Sequence, residues 1–342
     1  MPQSFDASTA DETARRHLHD ILTLAIEIKP GQAAVVVADS QSELAKILSS
    51  AYRHCLPQAK HIDFDAVAPD CILAEFEPLV AGDLVVLVQS TSFRLGAYRI
   101  RVELFKRGLK VIEHPHLARM TSAQVSYYLD ALAYDPAYFR TLGHALKQRI
   151  DQAKSGVIHS HGERLLFASP FEPAKLNVGD YSEMNNVGGQ FPIGEVFTEA
   201  SDLECVNGRV RIFAFGDTSF AVNQPEIPLT LVVERGRVTE AIDSTPEFNR
   251  VLANIRNDEG EIWLRELGFG LNRALTSTRR VNDIGTYERM CGIHLSLGAK
   301  HGAYSKPQIR RTDARHHVDV FALTEAVQLD NDIVFRDNAW QV

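Results

Sequence analysis

The feature that most constrains the fold is the alternation of short apolar runs with helical stripes in the first half of the chain. Residues 33–39 (AAVVVAD), 82–90 (GDLVVLVQS) and 109–115 (LKVIEHP) are rich in β-branched residues, as in strands covered on both faces. Between them, residues 40–55 and 95–108 carry apolar side chains at helical spacing. This alternation predicts a parallel sheet with helices on its faces.

The second half of the chain has a different pattern. Short strand-like runs, such as residues 156–169 and 206–217, are separated by turns that contain Gly or Asn. A single long helical stripe lies in residues 244–267. We therefore predict an α/β N-terminal domain with a mainly parallel sheet in residues 1–157. We predict an α+β, strand-rich C-terminal domain in residues 158–342.

Composition limits the class of protein. Of the 342 residues 45% are hydrophobic and the formal net charge is −8, which argues against a nucleic-acid partner. No stretch reaches the roughly 20 apolar residues that a membrane helix needs, and the chain does not begin with an apolar signal segment. The cysteines are few, scattered and without a CxxC pair. The sequence predicts a cytoplasmic globular protein with no membrane partner.

Four segments place metal-binding residue types in apolar surroundings. They contain Glu195, Glu266, His294, and the pair His317 and Asp319. Residues i and i+2 of a strand face the same side, so the side chains of His317 and Asp319 should project together. Three carboxylates and two imidazoles suit Zn²⁺, Co²⁺, Mn²⁺ or Fe²⁺ better than Ca²⁺ or Mg²⁺. Five ligands exceed one tetrahedral site, which favours two metal ions that share a carboxylate.

Each of these residues also has a purely structural explanation. A glutamate after a glycine is commonly a helix cap or a solvated residue, and a histidine between β-branched residues is commonly a hydrogen-bonded core residue. His317 and Asp319 could form an ion pair and nothing more. The residues alone therefore suggest a metal centre and leave the structural alternative open.

The same segments resemble, in order and in wording, the motifs of the thermophilic aminopeptidase family of metallopeptidases, of the aminopeptidase T and aminopeptidase S type. The resemblance is carried by PIGEVFTE (192–199), ELGFGLN (266–272), HLSLG (294–298) and HVD (317–319). It implies a C-terminal catalytic domain that holds two divalent metal ions (Zn, Co or Mn), and a homodimer. It implies these metal ligands, with Glu266 as the bridge: Glu195, Glu266, His294, His317 and Asp319.

Two positions depart from the family pattern. The peptidases place a tyrosine seven residues after the ligand histidine, where this chain has His301, and the nearest tyrosine is Tyr304. Either residue could polarise the substrate carbonyl. The family also carries a glutamate shortly before that histidine, and Glu288 is the corresponding candidate, offset by one residue. The resemblance thus implies catalytic roles for Glu288 and for either Tyr304 or His301.

A more distant resemblance connects the chain with the non-haem iron enzyme 2,5-dihydroxypyridine 5,6-dioxygenase. That enzyme keeps the His-x-Asp pair, has a histidine in place of Glu266, and lacks the acid that corresponds to Glu195. Because this chain keeps both glutamates, the resemblance favours a hydrolase.

The expected function is a dinuclear metal-dependent hydrolase of peptide or amide bonds, an aminopeptidase, with a small peptide or amide as substrate. Two alternatives remain open from the sequence. One is a mononuclear Fe(II) ring-cleaving dioxygenase, for which His294, His317 and Asp319 could supply the ligands. The other is a non-catalytic member of the fold that binds a peptide.

Overall fold

The computed structural model describes residues 7–219 and 221–342. The start of the chain, where the sequence shows no apolar signal segment, lies partly outside these residues. Among the described residues, no helix is both long enough and apolar enough to cross a bilayer. The helices are α1 (Ala7–Asp20), α2 (Glu43–Cys55), α3 (Pro69–Phe76), α4 (Ile100–Lys106), α5 (Ser122–Ala131), α6 (Pro136–Gln152), α7 (Pro246–Glu259) and α8 (Ile284–Tyr287).

The strands range from two to eleven residues in length. They are β1 (Ala34–Ala38), β2 (Lys60–Asp63), β3 (Leu84–Val88), β4 (Lys110–His114), β5 (Gly156–Ser160), β6 (Glu163–Phe167), β7 (Lys175–Asn177), β8 (Gly188–Gln190), β9 (Glu195–Glu199), β10 (Val206–Gly216), β11 (Val222–Asn223), β12 (Leu229–Glu234), β13 (Arg237–Ile242), β14 (Leu264–Gly270), β15 (Gly292–Leu297), β16 (Val318–Ala322), β17 (Ala326–Leu329), β18 (Asp332–Arg336) and β19 (Ala339–Trp340).

The chain divides into two compact units. Met1–Phe139 and Gly179–Ile193 form the first unit, and Arg140–Val178 and Gly194–Val342 form the second. Both units are therefore discontinuous in sequence, because residues 179–193 return to the first. A division between independently folding domains at residue 157 stays a prediction.

The first unit contains a five-stranded parallel sheet in the order β2-β1-β3-β4-β8. All five residues of the central strand β3 are buried, which is why its sequence is continuously apolar and not alternating. Helix α2 begins where the Ser42 hydroxyl accepts a hydrogen bond from the amide of Ala45. The predicted α/β domain with a mainly parallel sheet is confirmed.

The second unit is built on a sheet that contains fourteen of the described strands and in which all pairs are antiparallel. The strands β9, β14, β15 and β16 are neighbours in this sheet. Every residue of β14, β15 and β16 is buried. Helix α7 begins at the N-cap Thr245 and ends before Gly260, whose φ is 81°. The predicted strand-rich second half is also confirmed.

Candidate metal centre

The strand register brings four of the predicted ligands together. Glu195, Glu266, His294 and Asp319 lie on four neighbouring strands: β9, β14, β15 and β16, respectively. All four are buried although they are ionisable. Buried ionisable groups are rare unless they pair or bind a metal, so the sheet gathers polar side chains in a region that an ordinary core would fill with apolar ones.

A glycine makes room for the histidine. Gly268 is paired with His294 in the register between β14 and β15. A Cβ atom at Gly268 would lie 1.9 Å from Cε1 of the His294 ring, far inside van der Waals contact. The glycine in the motif ELGFG is therefore required by the close approach of the imidazole to the neighbouring strand.

Three imidazoles face carboxylates in this region. His294 Nε2 lies 3.2 Å from Glu195 Oε1 and 3.2 Å from Glu266 Oε1. His301 Nε2 lies 2.8 Å from the other oxygen of Glu266, Oε2. Two sets of three residues each bring their potential ligand atoms within 4.8 Å of one another. Both sets include His294: Glu195, Glu288 and His294 form one, and Glu266, His294 and Asp319 form the other.

The predicted pair of His317 and Asp319 is present. His317 Nε2 lies 3.1 Å from Asp319 Oδ1, and His317 Nδ1 donates a hydrogen bond to the carbonyl oxygen of Lys300 at 3.1 Å. A carbonyl oxygen can only accept, so Nδ1 carries a proton and Nε2 is the nitrogen left for a metal. An Nδ1–H bonded to a backbone carbonyl is the usual outer contact of a metal-binding histidine.

His301 has the opposite tautomer. Its Nδ1 accepts a hydrogen bond from the amide of Ala303 at 3.1 Å. In the neutral ring the proton must then be on Nε2, which faces Glu266. His301 is therefore suited to donate a hydrogen bond through Nε2, whereas Nε2 of His317 is suited to bind a metal.

Tyr304 is engaged elsewhere. Its hydroxyl donates to the carbonyl oxygen of Pro173 at 2.8 Å and lies 3.3 Å from that of Phe197. Burial raises the pKa of Tyr304. Of the two residues considered for the family tyrosine, the structure places His301 against the carboxylates and directs the Tyr304 hydroxyl to backbone carbonyls.

Glu288 lies beside the cluster and is held by a buried arginine. The Arg289 guanidinium contacts Glu288 Oε1 and lies 2.9 Å from Glu195 Oε2. Burial raises the pKa of Glu288 to about 8, and the negative charges of Glu195 and Asp319 act in the same direction although Arg289 opposes it. Arg289 was not predicted from the sequence, although its position directly after Glu288 in YERMCG marks a charged pair in an apolar stretch.

The charges of the cluster shift the pKa of two imidazoles, those of His294 and His317, upward. Burial alone would lower the pKa of His294, but Glu195 and Glu266 outweigh it and raise the value well above the usual range. For His317 burial also opposes protonation, and Asp319 raises the pKa to about 10. Burial disfavours the Glu266 carboxylate, but hydrogen bonds from His294 and His301 hold the pKa of Glu266 below its usual range. The carboxylates thus favour positive charge at the centre of the cluster.

The residues fit a divalent cation. Four carboxyl groups, those of Glu195, Glu266, Glu288 and Asp319, lie in this region together with the guanidinium of Arg289. Because its raised pKa leaves Glu288 mostly protonated at neutral pH, two negative charges remain when the imidazoles are neutral. Among the described residues, no donor satisfies Asp319 Oδ1 with good hydrogen-bond geometry, although this atom is buried. A buried carboxylate oxygen without a well-directed donor, within an excess of negative charge, is typical of a metal ligand.

A second buried charge network borders the cluster. Arg265 forms two hydrogen bonds with Glu199, at 2.7 and 3.0 Å. Lys306 Nζ lies 3.3 Å from Glu199 and donates to the carbonyl oxygens of Ala200 and Ser201 at 2.7 and 3.0 Å. Lys306 also pairs with Glu172 at 2.5 Å. Two cations therefore meet two anions, so this network has no need of a metal, and it anchors the segment that contains Lys306.

A cavity of about 610 Å³ lies elsewhere in the second unit. Its lining includes Phe213, Arg273, Cys291 and Thr324, and none of the eight predicted site residues is among the described residues that form it. The candidate metal centre is therefore defined by its ligand geometry and not by this cavity.

The comparisons with known proteins concern the fold. No family model matches the chain, and no curated protein matches its sequence. The structure of 2,5-dihydroxypyridine dioxygenase from Pseudomonas putida KT2440 matches with a TM-score of 0.64 and 16% identity, over 98% of this chain and 98% of that one. Wild-type AmpT from Thermus thermophilus matches with a TM-score of 0.60 and 12% identity, over 97% of this chain and 99% of that one. The two resemblances seen in the sequence are confirmed as resemblances of fold.

Proposed function

We propose that this protein is a metal-dependent hydrolase of peptide or amide bonds, specifically an aminopeptidase. The observation that supports it best is that two glutamates, Glu195 and Glu266, both lie 3.2 Å from His294. A mononuclear iron oxygenase needs two histidines and one carboxylate, whereas this centre is richer in carboxylate. Two divalent ions, Zn²⁺, Co²⁺ or Mn²⁺, would bind to the following residues: Glu195, Glu266, His294, His317 and Asp319.

Glu266 is the best candidate for a shared ligand. Its two carboxylate oxygens face different imidazoles, Oε1 towards His294 and Oε2 towards His301. The metal ions would supply a water of lowered pKa and polarise the scissile carbonyl. In this arrangement Glu266 spans the centre, and its loss should remove metal binding and activity together.

The neighbouring side chains have complementary tasks. The Nε2–H of His301, which has no well-directed acceptor among the described residues, can donate a hydrogen bond to the oxygen on which negative charge develops. Glu288 can carry a proton to the leaving amine, and Arg289 holds its carboxylate in place. Tyr304 has no direct part in this scheme, because its hydroxyl is bonded to the Pro173 carbonyl.

The substrate we propose is a short peptide or an aminoacyl amide, and we propose that the chain works as a homodimer. Elemental analysis of protein purified without chelator gives the metal content per chain. About two equivalents of zinc, cobalt or manganese are expected, with hydrolysis of aminoacyl amides. Light scattering tests the dimer separately.

The substitution Glu266→Gln tests the assignment of the centre. It removes a ligand charge but preserves the shape of the side chain, so we expect metal content and hydrolysis to be lost while the fold is kept. Glu234→Gln, an exposed position at the end of β12, serves as the matched control. A Glu266→Gln protein that retains full metal content and activity would show that the assignment is wrong.

A dioxygenase is the second candidate, and one observation favours it. Arg289 engages Glu195 and Glu288, which are two members of one of the two ligand sets. Four candidate ligands are not engaged by Arg289. Of these, His294, His317 and Asp319 would form a two-histidine, one-carboxylate site, with Glu266 beside it. One iron per chain, with oxygen consumption in the presence of 2,5-dihydroxypyridine, would support this function over the hydrolase. A protein that binds no metal even after reconstitution would favour a non-catalytic, peptide-binding role.

A further inference from the structure

The connection between β15 and β16 is long, and both of its ends reach the candidate metal centre. Residues 298–317 contain neither helix nor strand. Loops of this length are uncommon in compact units, where they are usually either functional or disordered. His301 lies near the beginning of this loop and His317 at its end, so the relative position of the two imidazoles depends on how the loop is closed.

A carboxylate of α7 closes the loop from outside, next to a contact in which Asp258 Oδ2 lies 2.6 Å from His316 Nε2. Glu259 Oε2 accepts a hydrogen bond from the amide of Ala299 at 2.7 Å. Its other oxygen, Oε1, accepts from the amides of Arg315 and His316 at 2.6 and 2.7 Å. Glu259 therefore joins the two ends of the loop with three hydrogen bonds to a charged acceptor, which are stronger than neutral ones.

The two ends also contact each other directly at this point, which we call the neck (residues 298–300 and 315–317). The amide of Lys300 donates to the carbonyl of His316 at 2.9 Å. Gly298 has a φ of 107°, and a Cβ atom there would lie 2.4 Å from the His316 carbonyl oxygen. The Lys300 carbonyl in turn accepts from Nδ1 of His317. The neck thus sets the tautomer and the place of His317.

The location of Glu259 supports a specific role. It is the last residue of α7, where the helix dipole disfavours an acidic side chain. The three backbone amides that Glu259 binds compensate for this unfavourable position. The middle of the loop is held independently, because Lys306 is buried and bonded to Ala200 and Ser201. Loss of the Glu259 contacts should therefore loosen the neck without releasing the whole loop.

We infer that Glu259 is a positioning residue for the metal centre: by closing the neck, it fixes His317 as a metal ligand and His301 as a hydrogen-bond donor. This inference rests on the proposed metal-dependent function. Glu259 itself contacts backbone amides of the neck and acts through them.

The test compares Glu259→Gln in the full-length protein with wild type. The amide group of glutamine presents an N–H where a carboxylate oxygen now accepts, so some of the three hydrogen bonds are lost. We expect the affinity for Co²⁺, titrated into chelator-stripped protein, to fall about 10–100-fold, the range for lost outer contacts of metal sites. The visible absorption of bound Co²⁺, which reports ligand geometry, should change as well.

Trypsin provides a readout that does not depend on metal. Lys300 and Arg315 are exposed residues of the neck, and their peptide bonds should be cut several-fold faster in Glu259→Gln than in wild type. The matched control is Glu261→Gln, two residues further on, which removes a half-exposed charge that pairs with Arg237 at 2.8 Å. It should leave both Co²⁺ affinity and neck cleavage unchanged.

The outcomes separate the two proposals. Wild-type Co²⁺ affinity and wild-type neck cleavage in Glu259→Gln would overturn the role of Glu259, and so would equal losses in Glu261→Gln. Faster cleavage with unchanged Co²⁺ affinity would also overturn it, because the neck would then be irrelevant to the metal. A wild-type protein that binds no divalent ion would instead refute the proposed function. If Glu259→Gln does not fold, Glu259→Asp, which keeps the charge but shortens the reach, replaces it.

Discussion

Two buried histidines, one in each unit, show how differently a protein can treat the same side chain. In the first unit the His114 Nδ1 donates to the hydroxyl of Tyr128 at 2.9 Å, and its Nε2 accepts from the hydroxyl of Tyr52 at 2.8 Å. The Tyr128 hydroxyl in turn donates to the carbonyl of Phe191. Each ring nitrogen therefore has one neutral partner, and burial lowers the pKa of His114 to about 3.

In the second unit His294 is equally buried but faces two carboxylates, and its pKa is raised. With its imidazoles neutral, the cluster around it has more anions than cations, and it includes the buried Asp319 Oδ1 without a well-directed donor. The two environments distinguish a structural polar network, that of His114, from a candidate ligand site, that of His294. The first is complete without any added group, whereas the second becomes complete when a cation is bound.

The largest expected effect is the stabilisation of the chain by metal. A ligand that binds only the folded state at a free concentration of 1,000 times its Kd adds about 4 kcal/mol to the free energy of unfolding. We expect Co²⁺ or Zn²⁺ to raise the thermal unfolding midpoint of wild type and not that of Glu266→Gln. Scanning calorimetry with and without the ion measures this shift of the midpoint.

A substitution of the other buried histidine, His114, serves as the control for metal-induced stabilisation. His114→Phe should retain the full metal-induced shift, although its own midpoint is lower, because His114 belongs to a network that needs no cation. An equal loss of the shift in His114→Phe and in Glu266→Gln would mean that metal stabilisation reports general folding and not the proposed centre.

The second effect concerns the network in the first unit. His114→Phe removes the acceptor of the Tyr52 hydroxyl, and a buried hydroxyl left without a partner costs about 1–3 kcal/mol. Urea denaturation of metal-free protein measures the loss. The double variant with Tyr52→Phe should recover part of the stability, because removal of both partners is nearly neutral. Strictly additive losses would contradict a coupled network.

The sequence predicted the framework of both units from local patterns. The apolar runs around β1, β3 and β4 are visible because buried parallel strands lack alternation. The residues of the candidate centre were also visible as polar side chains in apolar surroundings. What could not be derived from the residues was their convergence, because the pairing of Gly268 with His294 depends on a strand register that no local signal encodes.

The loop residues were the hardest to assign. His301 and Tyr304 lie three positions apart in a segment without periodicity, so the sequence could not decide which one faces the carboxylates. The answer depends on long-range contacts: the Tyr304 hydroxyl bonds to Pro173, 131 positions away. Glu259 was missed for the same reason, since the fold brings its three amide partners to it. Arg289 was missed because only the fold brings Glu195 to it.

The smallest expected effect is the pH dependence of stability that His114 causes. The pKa of His114 is about 3 in the folded state and 6.5 for an unperturbed histidine. Below pH 6.5 the unfolded chain therefore binds a proton that the folded chain does not, and stability falls as the pH falls. The loss approaches about 1.4 kcal/mol per pH unit down to the folded pKa. The contribution of the neutral His114 imidazole to stability is therefore present in full above pH 6.5.

The pH effect of His114 can be isolated by subtraction. The free energies of unfolding of wild type and His114→Phe are measured by urea denaturation with chelator at pH 7.5, 6.5 and 5.5, so that the groups of the second unit contribute equally to both. The stability advantage of wild type should shrink between pH 6.5 and 5.5 and stay nearly constant above. Burial raises the pKa of Tyr52, whose hydroxyl donates to the imidazole, so this partner remains neutral throughout the range. An advantage that grows as the pH falls would show that His114 gains a proton in the folded state, which its neutral partners do not allow.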